Sequence, residues 1–250
     1  MNFSGKIKAF EFLNSVSYSV LTKQGQIHTE SWMIDTKNEF RFPLVRRIDH
    51  DSVLVVNTRS DENEKNAWIY NRNEELVKSF TIGDAVNDIV VFNRKFVVSY
   101  FDEGIMAQKE YSKEGLAIFN KDGKMKWGFN SNTEFEILDC YQIVKSDWNK
   151  VIFFGYGKFP ICELNIDFLT IKELQIPIDI FVESISYSKN KLYWKNSKEV
   201  FCFNFDNNEF QKIREFEKKD NRRLIGNSLL NLTKNGYELE KINAQPQQQS

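Results

Sequence analysis

Proline, cysteine and histidine are scarce in this chain, and each scarcity closes off a class of protein. Only 4 Pro, 3 Cys and 2 His occur among 250 residues. Three cysteines without CxxC spacing argue against a disulfide framework and against a cysteine-based zinc site. Cys140, Cys162 and Cys202 each lie within an apolar run, so they read as buried reduced thiols of a cytoplasmic protein. His28 and His50 are the two candidates for a histidine base, and His50 falls in the tight polar turn "DHDS". P-loop, G-x-S-x-G, HExxH and Rossmann signatures are all missing. Excess charge is missing as well. With 34 basic and 35 acidic residues the net charge is −1, which argues against nucleic acid as a partner. No apolar run approaches the roughly 18 residues of a membrane span, and "MNFSGKIKAFEF" lacks the apolar core of a signal peptide. No cofactor is implied.

What the chain has in quantity is aromatic and β-branched residues: 22 Phe, 9 Tyr and 5 Trp, with a hydrophobic fraction of 41%. They alternate with polar residues in runs of five to eight, punctuated by Asn, Asp, Gly and Lys, which is the pattern of strands and turns. One phrase recurs. "SWMID" ends at Asp35, "AWIYN" at Asn71, "LAIFN" at Asn120, "ICELN" at Asn165, "VFCFN" at Asn204 and "LEKIN" at Asn243, at intervals of 36, 49, 45, 39 and 39 residues. The residue before each anchor is apolar: Ile34, Tyr70, Phe119, Leu164, Phe203 and Ile242. Each phrase therefore reads as a strand with one buried face, ending where an Asn or Asp side chain opens a turn. Two further strands precede most anchors and one follows. Four antiparallel strands repeated about every forty residues predict an all-β fold, a β-propeller of six blades. Five or seven blades would need one unit to be read differently. The last unit ends soon after its third strand, so an N-terminal strand near "KIKAFEF" is expected to close the ring. Residues 1–243 form a single domain on this reading, and 244–250, "AQPQQQS", form a disordered tail. Trp32 and Trp68 occupy repeat positions that assign them to the core between blades.

Propeller topology puts the longer connections on one face: 59–65, 101–114 and 131–136. Charged and amide residues near the starts of the innermost strands come from five units. They are Arg46 and Arg47, Asn87 and Asp88, Asp139, Glu183, and Arg222 and Arg223. Gathered at one channel mouth, they would hold a polar ligand, arginines engaging carboxylate or phosphate and acids engaging hydroxyls or a cation. Equally, the acids and arginines would neutralise one another around channel water.

"SYFDEG" at 99–104, "GLAIFNKDGKMKW" at 115–127 and "ILDCYQIV" at 137–144 follow one another in an order that resembles a group of uncharacterised bacterial propeller-like proteins, over roughly residues 80–165. The resemblance implies a β-propeller and a bacterial source, and brings no established activity. By that analogy Tyr100, Asp102, Glu103, Gly104, Asp139 and Tyr141 form the group's characteristic cluster.

The function expected from these observations is a binding module that engages another protein through the long-loop face, with no nucleic acid or membrane involved. Its candidate residues are Tyr100, Asp102, Glu103, Asp88, Asp139, Tyr141, Glu183, Arg46, Arg222 and Arg223. The alternatives are an acidic-ligand binder at the channel mouth and a metal-dependent hydrolase or lactonase. The latter would need Asn87, Asp88, Asp139 and Glu183 as ligands, and the neighbouring arginines oppose that.

Overall fold

The alternating apolar runs do form strands, because each buries one face against a neighbouring sheet and leaves the other to fit the next seam. A computed structural model of the protein describes residues 6–14, 16–61, 64–93, 95–156, 160–176, 182–233 and 236–242. Among these the chain is a six-bladed β-propeller. Blade 1 contains β1 (Ile7–Phe12), β2 (Tyr18–Thr22), β3 (Gln26–Thr29) and β4 (Met33–Asp35). Blade 2 contains β5 (Pro43–Arg47), β6 (Ser52–Asn57), β7 (Ala67–Asn71) and β8 (Leu76–Phe80). Blade 3 contains β9 (Val86–Phe92), β10 (Lys95–Tyr100), β11 (Leu116–Asn120) and β12 (Met125–Gly128). Blade 4 contains β13 (Cys140–Asp147), β14 (Lys150–Gly155), β15 (Cys162–Asn165) and β16 (Thr170–Glu173). Blade 5 contains β17 (Ser184–Ser188), β18 (Lys191–Lys195), β19 (Glu199–Asn204) and β20 (Glu209–Glu215). Blade 6 has three strands among the described residues, β21 (Arg223–Ile225), β22 (Ser228–Leu232) and β23 (Tyr237–Lys241). All neighbours within a blade pair antiparallel.

The repeat anchors work as their chemistry predicts. Asn71 Oδ1 accepts from the amides of Asn73 and Glu75 at 3.0 and 3.1 Å, and Asn120 Oδ1 accepts from those of Asp122 and Lys124 at 3.1 and 2.9 Å. Asn165 and Asn204 open the same turn, so the third strands of blades 2 to 5 all end in one device. Asp35 makes a similar bond to Lys37 but ends β4, the outermost strand of its blade, so the first anchor stands one strand out of step with the others. Asn243 and the tail 244–250 lie outside the described residues.

Ring closure also differs from the sequence expectation. Residues 7–12 do not join the last sheet; they form β1, the innermost strand of blade 1, paired with β2. Among the described residues, blade 1 meets blade 6 through side chains. Phe12 packs edge-on to Tyr237 at 4.4 Å between ring centroids, with Tyr18, Val20 and Leu230 around them. The other seams carry their own apolar clusters. Trp32 and Trp68 pack into the one between blades 1 and 2, and Trp194 and Phe203 lie in the one between blades 4 and 5. The three cysteines are buried and free. Burial pushes the Cys162 thiol up to about 11. No helix among the described residues is long and apolar enough to cross a membrane.

Candidate functional site

Two places bring polar groups together: the long-loop face over blades 3 and 4, and the central channel. The loop face is built on a pair of knitted connections. Between β10 and β11 the chain makes α1 (Asp102–Met106) and a 3-10 turn (Ser112–Glu114); between β12 and β13 it makes α2 (Phe129–Asn132). Buried Asp84 ties the first of these down. Its carboxylate receives Lys109 Nζ at 2.8 Å, Arg59 Nε at 3.3 Å and the Ser60 amide at 2.9 Å, and Ser112 Oγ donates to its backbone oxygen at 2.5 Å. Buried Glu114 ties down the second, accepting from the Ser131 amide and hydroxyl at 2.9 and 2.6 Å. Asn130 then spans the connections, donating to Lys113 O and Ile137 O at 2.8 and 2.9 Å.

This arrangement explains the "YFDEG" phrase. Tyr100 is fully buried and donates its hydroxyl to Ile82 O at 2.5 Å, so it belongs to the scaffold under the loops rather than to their surface. Gly104 lets α1 lie flat, since a Cβ there would stand 2.8 Å from those of both Ala85 and Ser112. Glu103 is exposed and pairs with Arg59.

Asp102, Asp139 and Tyr141 do come together. Asp139 has one carboxylate oxygen enclosed and without a hydrogen-bond partner among the described residues. Burial, reinforced by the charge of Asp102, pushes its carboxyl up to about 6. The fields of Asp139 and Asp102 also reach Tyr141, whose ring meets that of Tyr156 edge-on at 5.9 Å. The two connections and their neighbours expose Phe101, Met106, Phe135, Leu138 and Tyr156.

The channel, about 670 Å³, is lined from Phe101 at the loop mouth to Leu13, Tyr187 and Gly226 at the turn face. Every blade contributes one charged side chain to it: Glu11, Arg46, Asp88, Lys145, Glu183 and Arg223, in ring order. Their signs alternate. Arg46 is the most enclosed of the cations here. It pairs with Asp88, stands 3.9 Å from Glu11, and donates from Nε to Ile89 O at 2.7 Å. Burial pushes Glu11 up to about 7 even against the pull of Arg46. Glu183 is engaged from behind by Lys195 at 3.7 Å, a lysine only 1% exposed that also donates to Asp220 O at 2.8 Å.

The remaining predicted residues go elsewhere. Arg222 is drawn away by Asp220 at 2.6 Å and by Glu240, and its guanidinium lies over Phe216. Arg47, though its backbone borders the channel, turns its side chain to Glu30 at 3.2 Å and over Trp32. The four-residue metal set is dispersed: Asp88 carries Arg46, Glu183 carries Lys195, and Asn87 donates to Cys140 O and Tyr141 O of the next blade at 2.6 and 2.7 Å. Among the described residues no three His, Cys, Asp or Glu side chains gather into a metal-sized group.

Sequence reasoning passed over Glu11, Asp84, Glu114, Lys145 and Lys195. Glu11, Lys145 and Lys195 sit beside apolar neighbours in strands, as in "AFEF" and "YWKN", and that conflict is the signal that was available. Asp84 and Glu114 lie in connections between strands that carry no such signal.

No family model matches the chain, and no curated protein matches it. Solved structures do. Virginiamycin B lyase from Staphylococcus aureus is similar over 98% of this chain and 88% of its own, with a TM-score of 0.61 and 11% identity. Kluyveromyces lactis Hsv2 is similar over 91% of this chain and 71% of its own, with a TM-score of 0.53 and 13% identity. The extracellular domain of BT4673 from B. thetaiotaomicron is similar over 93% of this chain, with a TM-score of 0.57 and 12% identity. The chain spans 31% of that protein's length. At these identities the likeness shows the fold alone: the chain is built as a β-propeller.

Proposed function

We propose that the protein is a non-catalytic cytoplasmic binding module whose loop face over blades 3 and 4 engages another protein. One observation carries this reading. Internally hydrogen-bonded connections present Phe101, Met106, Phe135 and Leu138 to solvent, with Tyr156 beside Tyr141, and carry the acid pair Asp102 and Asp139. Exposed apolar side chains on a fixed surface supply area that association can bury, and acids beside them select a partner carrying lysine or arginine. Buried free thiols fit a reducing compartment. The bacterial source rests on the "YFDEG" resemblance. A metal-dependent hydrolase finds less support, because its proposed carboxylates Asp88 and Glu183 already face cationic side chains.

The test is affinity capture with wild type beside F135S/L138S and D102A/D139A variants, with identical folded-state circular dichroism as a precondition. We expect one partner that the wild type retains, that F135S/L138S loses, and that D102A/D139A holds at least tenfold more weakly. A partner captured equally by all three would move the interface off this face.

A further inference from the structure

We infer that the central channel is a binding site for a small multivalent anion, a phosphate-bearing or polycarboxylate metabolite, held between Arg223 of blade 6 and Lys145 of blade 4.

The argument starts from the alternating charges and asks which of them are already answered. Asp88 and Glu11 both face Arg46, and Glu183 faces Lys195. All three channel carboxylates are thus accounted for by two cations. Lys145 and Arg223 are left. Among the described residues neither has a carboxylate within ion-pair distance, although each lines the same channel. What they rest on is aromatic: Lys145 Nζ lies 4.7 Å from the Phe92 ring and Arg223 lies 5.3 Å from the Phe10 ring. A π face tolerates a cation without neutralising it, so both keep donors for something else.

The channel makes those charges felt. Lys145 and Arg223 are open to channel water yet walled in on several sides, and burial lowers the pKa of each. Arg223 interacts electrostatically with Asp88 and Arg46 of blades 3 and 2. Lys145 interacts first with Asp147 of its own strand, beyond ion-pair distance, and then with Glu11 of blade 1, so charges act across the channel as well as around it. The channel as a whole alternates in sign, so the pull on an anion is local: it comes from these two cations, whose field the low-dielectric walls strengthen. A volume of about 670 Å³ falls within the range of small-molecule sites. Arg223 offers a planar fork and Lys145 a mobile point charge, a combination that suits phosphate or carboxylate oxygens. Gln142, on the same wall, adds a neutral amide. The carboxylates of Asp88, Glu11 and Glu183 remain in the channel and repel an anion that comes too near. Glu183, on blade 5 between the two cations, has Lys195 3.7 Å away to offset its charge, which leaves the donors of Lys145 and Arg223 as the groups the ligand engages.

The probes are inorganic pyrophosphate and citrate, titrated into the full chain by calorimetry at low and at physiological salt, with sodium chloride of matched ionic strength as the blank. Stronger binding of pyrophosphate identifies phosphate chemistry, and stronger binding of citrate identifies carboxylate chemistry. We expect one site per chain, with affinity falling at least tenfold in R223Q and in K145Q and unchanged in R222Q, whose guanidinium pairs with Asp220 and Glu240 outside the channel. A second measurement needs no variant: in wild type the bound probe should slow acetylation of Lys145 several-fold while leaving exposed Lys124 unaffected. Absence of binding by both probes, or binding that leaves Lys145 acetylation unchanged, overturns the proposal. So does binding that survives in folded R223Q and K145Q alike. Loss of loop-face capture would leave these readouts untouched, so the two readings fail separately.

Discussion

The loop face and the channel are both lined with charged residues, but they differ in how completely those charges are answered. Over blades 3 and 4, buried Asp84 and Glu114 have every carboxylate engaged by a named donor, and the connections they fix behave as part of the core. In the channel the acids are engaged and two of the cations are not. Saturated polar groups rigidify a scaffold; an unanswered one leaves free energy available to a ligand. Asp139 is the exception on the loop face, with one enclosed carboxylate oxygen that has no hydrogen-bond partner among the described residues.

That comparison is broken most directly at Lys195. Replacing it with Met leaves Glu183 and Asp220 facing a neutral side chain in a site only 1% exposed on the lysine side. Removal of one partner from a buried ionic group costs about 3 kcal/mol, so K195M should unfold at markedly lower urea. Unchanged stability would show the lysine to be dispensable to the channel wall. Next in size is Gly104→Val. Its Cβ would meet Ala85 and Ser112 at 2.8 Å, and overpacking of this kind costs about 2 kcal/mol. The variant should lose loop-face capture while keeping anion binding, which sharpens the separation of the two regions; a variant with both intact would show that α1 can shift without consequence.

The smallest effect is at Asp139. Its folded pKa, about 6, is raised above the unfolded value, so the stability it contributes is present below the unfolded pKa and lost as pH rises through 6. At pH 7.5, D139N should therefore be more stable than wild type by about 1 kcal/mol, after allowance for the partial exposure of the group. The difference should vanish by pH 4. In the channel, E11Q should show the same sign with a midpoint nearer 7. Melting curves of the three proteins from pH 4 to 8 check both; an advantage for D139N that does not vary with pH would remove the enclosed carboxylate from the account.

The blades were legible in the sequence because their signals are local. An Asn that ends a strand bonds the amides two and four residues on, and that chemistry needs no knowledge of the rest of the fold. The first anchor misled because Asp35 makes a similar turn at the end of β4, where neither strand pairing nor spacing could be read from one phrase. The site was legible by region and not by residue. In the pair Arg46–Arg47, successive side chains of a strand point to opposite sides, so one enters the channel and the other turns to a seam. In Arg222–Arg223 only Arg223 belongs to the strand, and Asp220 and Glu240 hold Arg222 away from the channel. Choosing between them requires the strand register, which composition does not supply. Tyr100 and Gly104 looked functional through the company they keep, and their roles lie in packing.

The order of charges around the channel has a consequence for the size of the ring itself. Signs that alternate around a closed circle can do so only when the circle has an even number of members. Glu11, Arg46, Asp88, Lys145, Glu183 and Arg223 satisfy that condition with six blades. Deleting or duplicating a single blade would bring two groups of like sign side by side at the junction, whichever blade was chosen. Parity is thus written into the channel, and a change in blade number by recombination would be tolerated far more readily in pairs than singly.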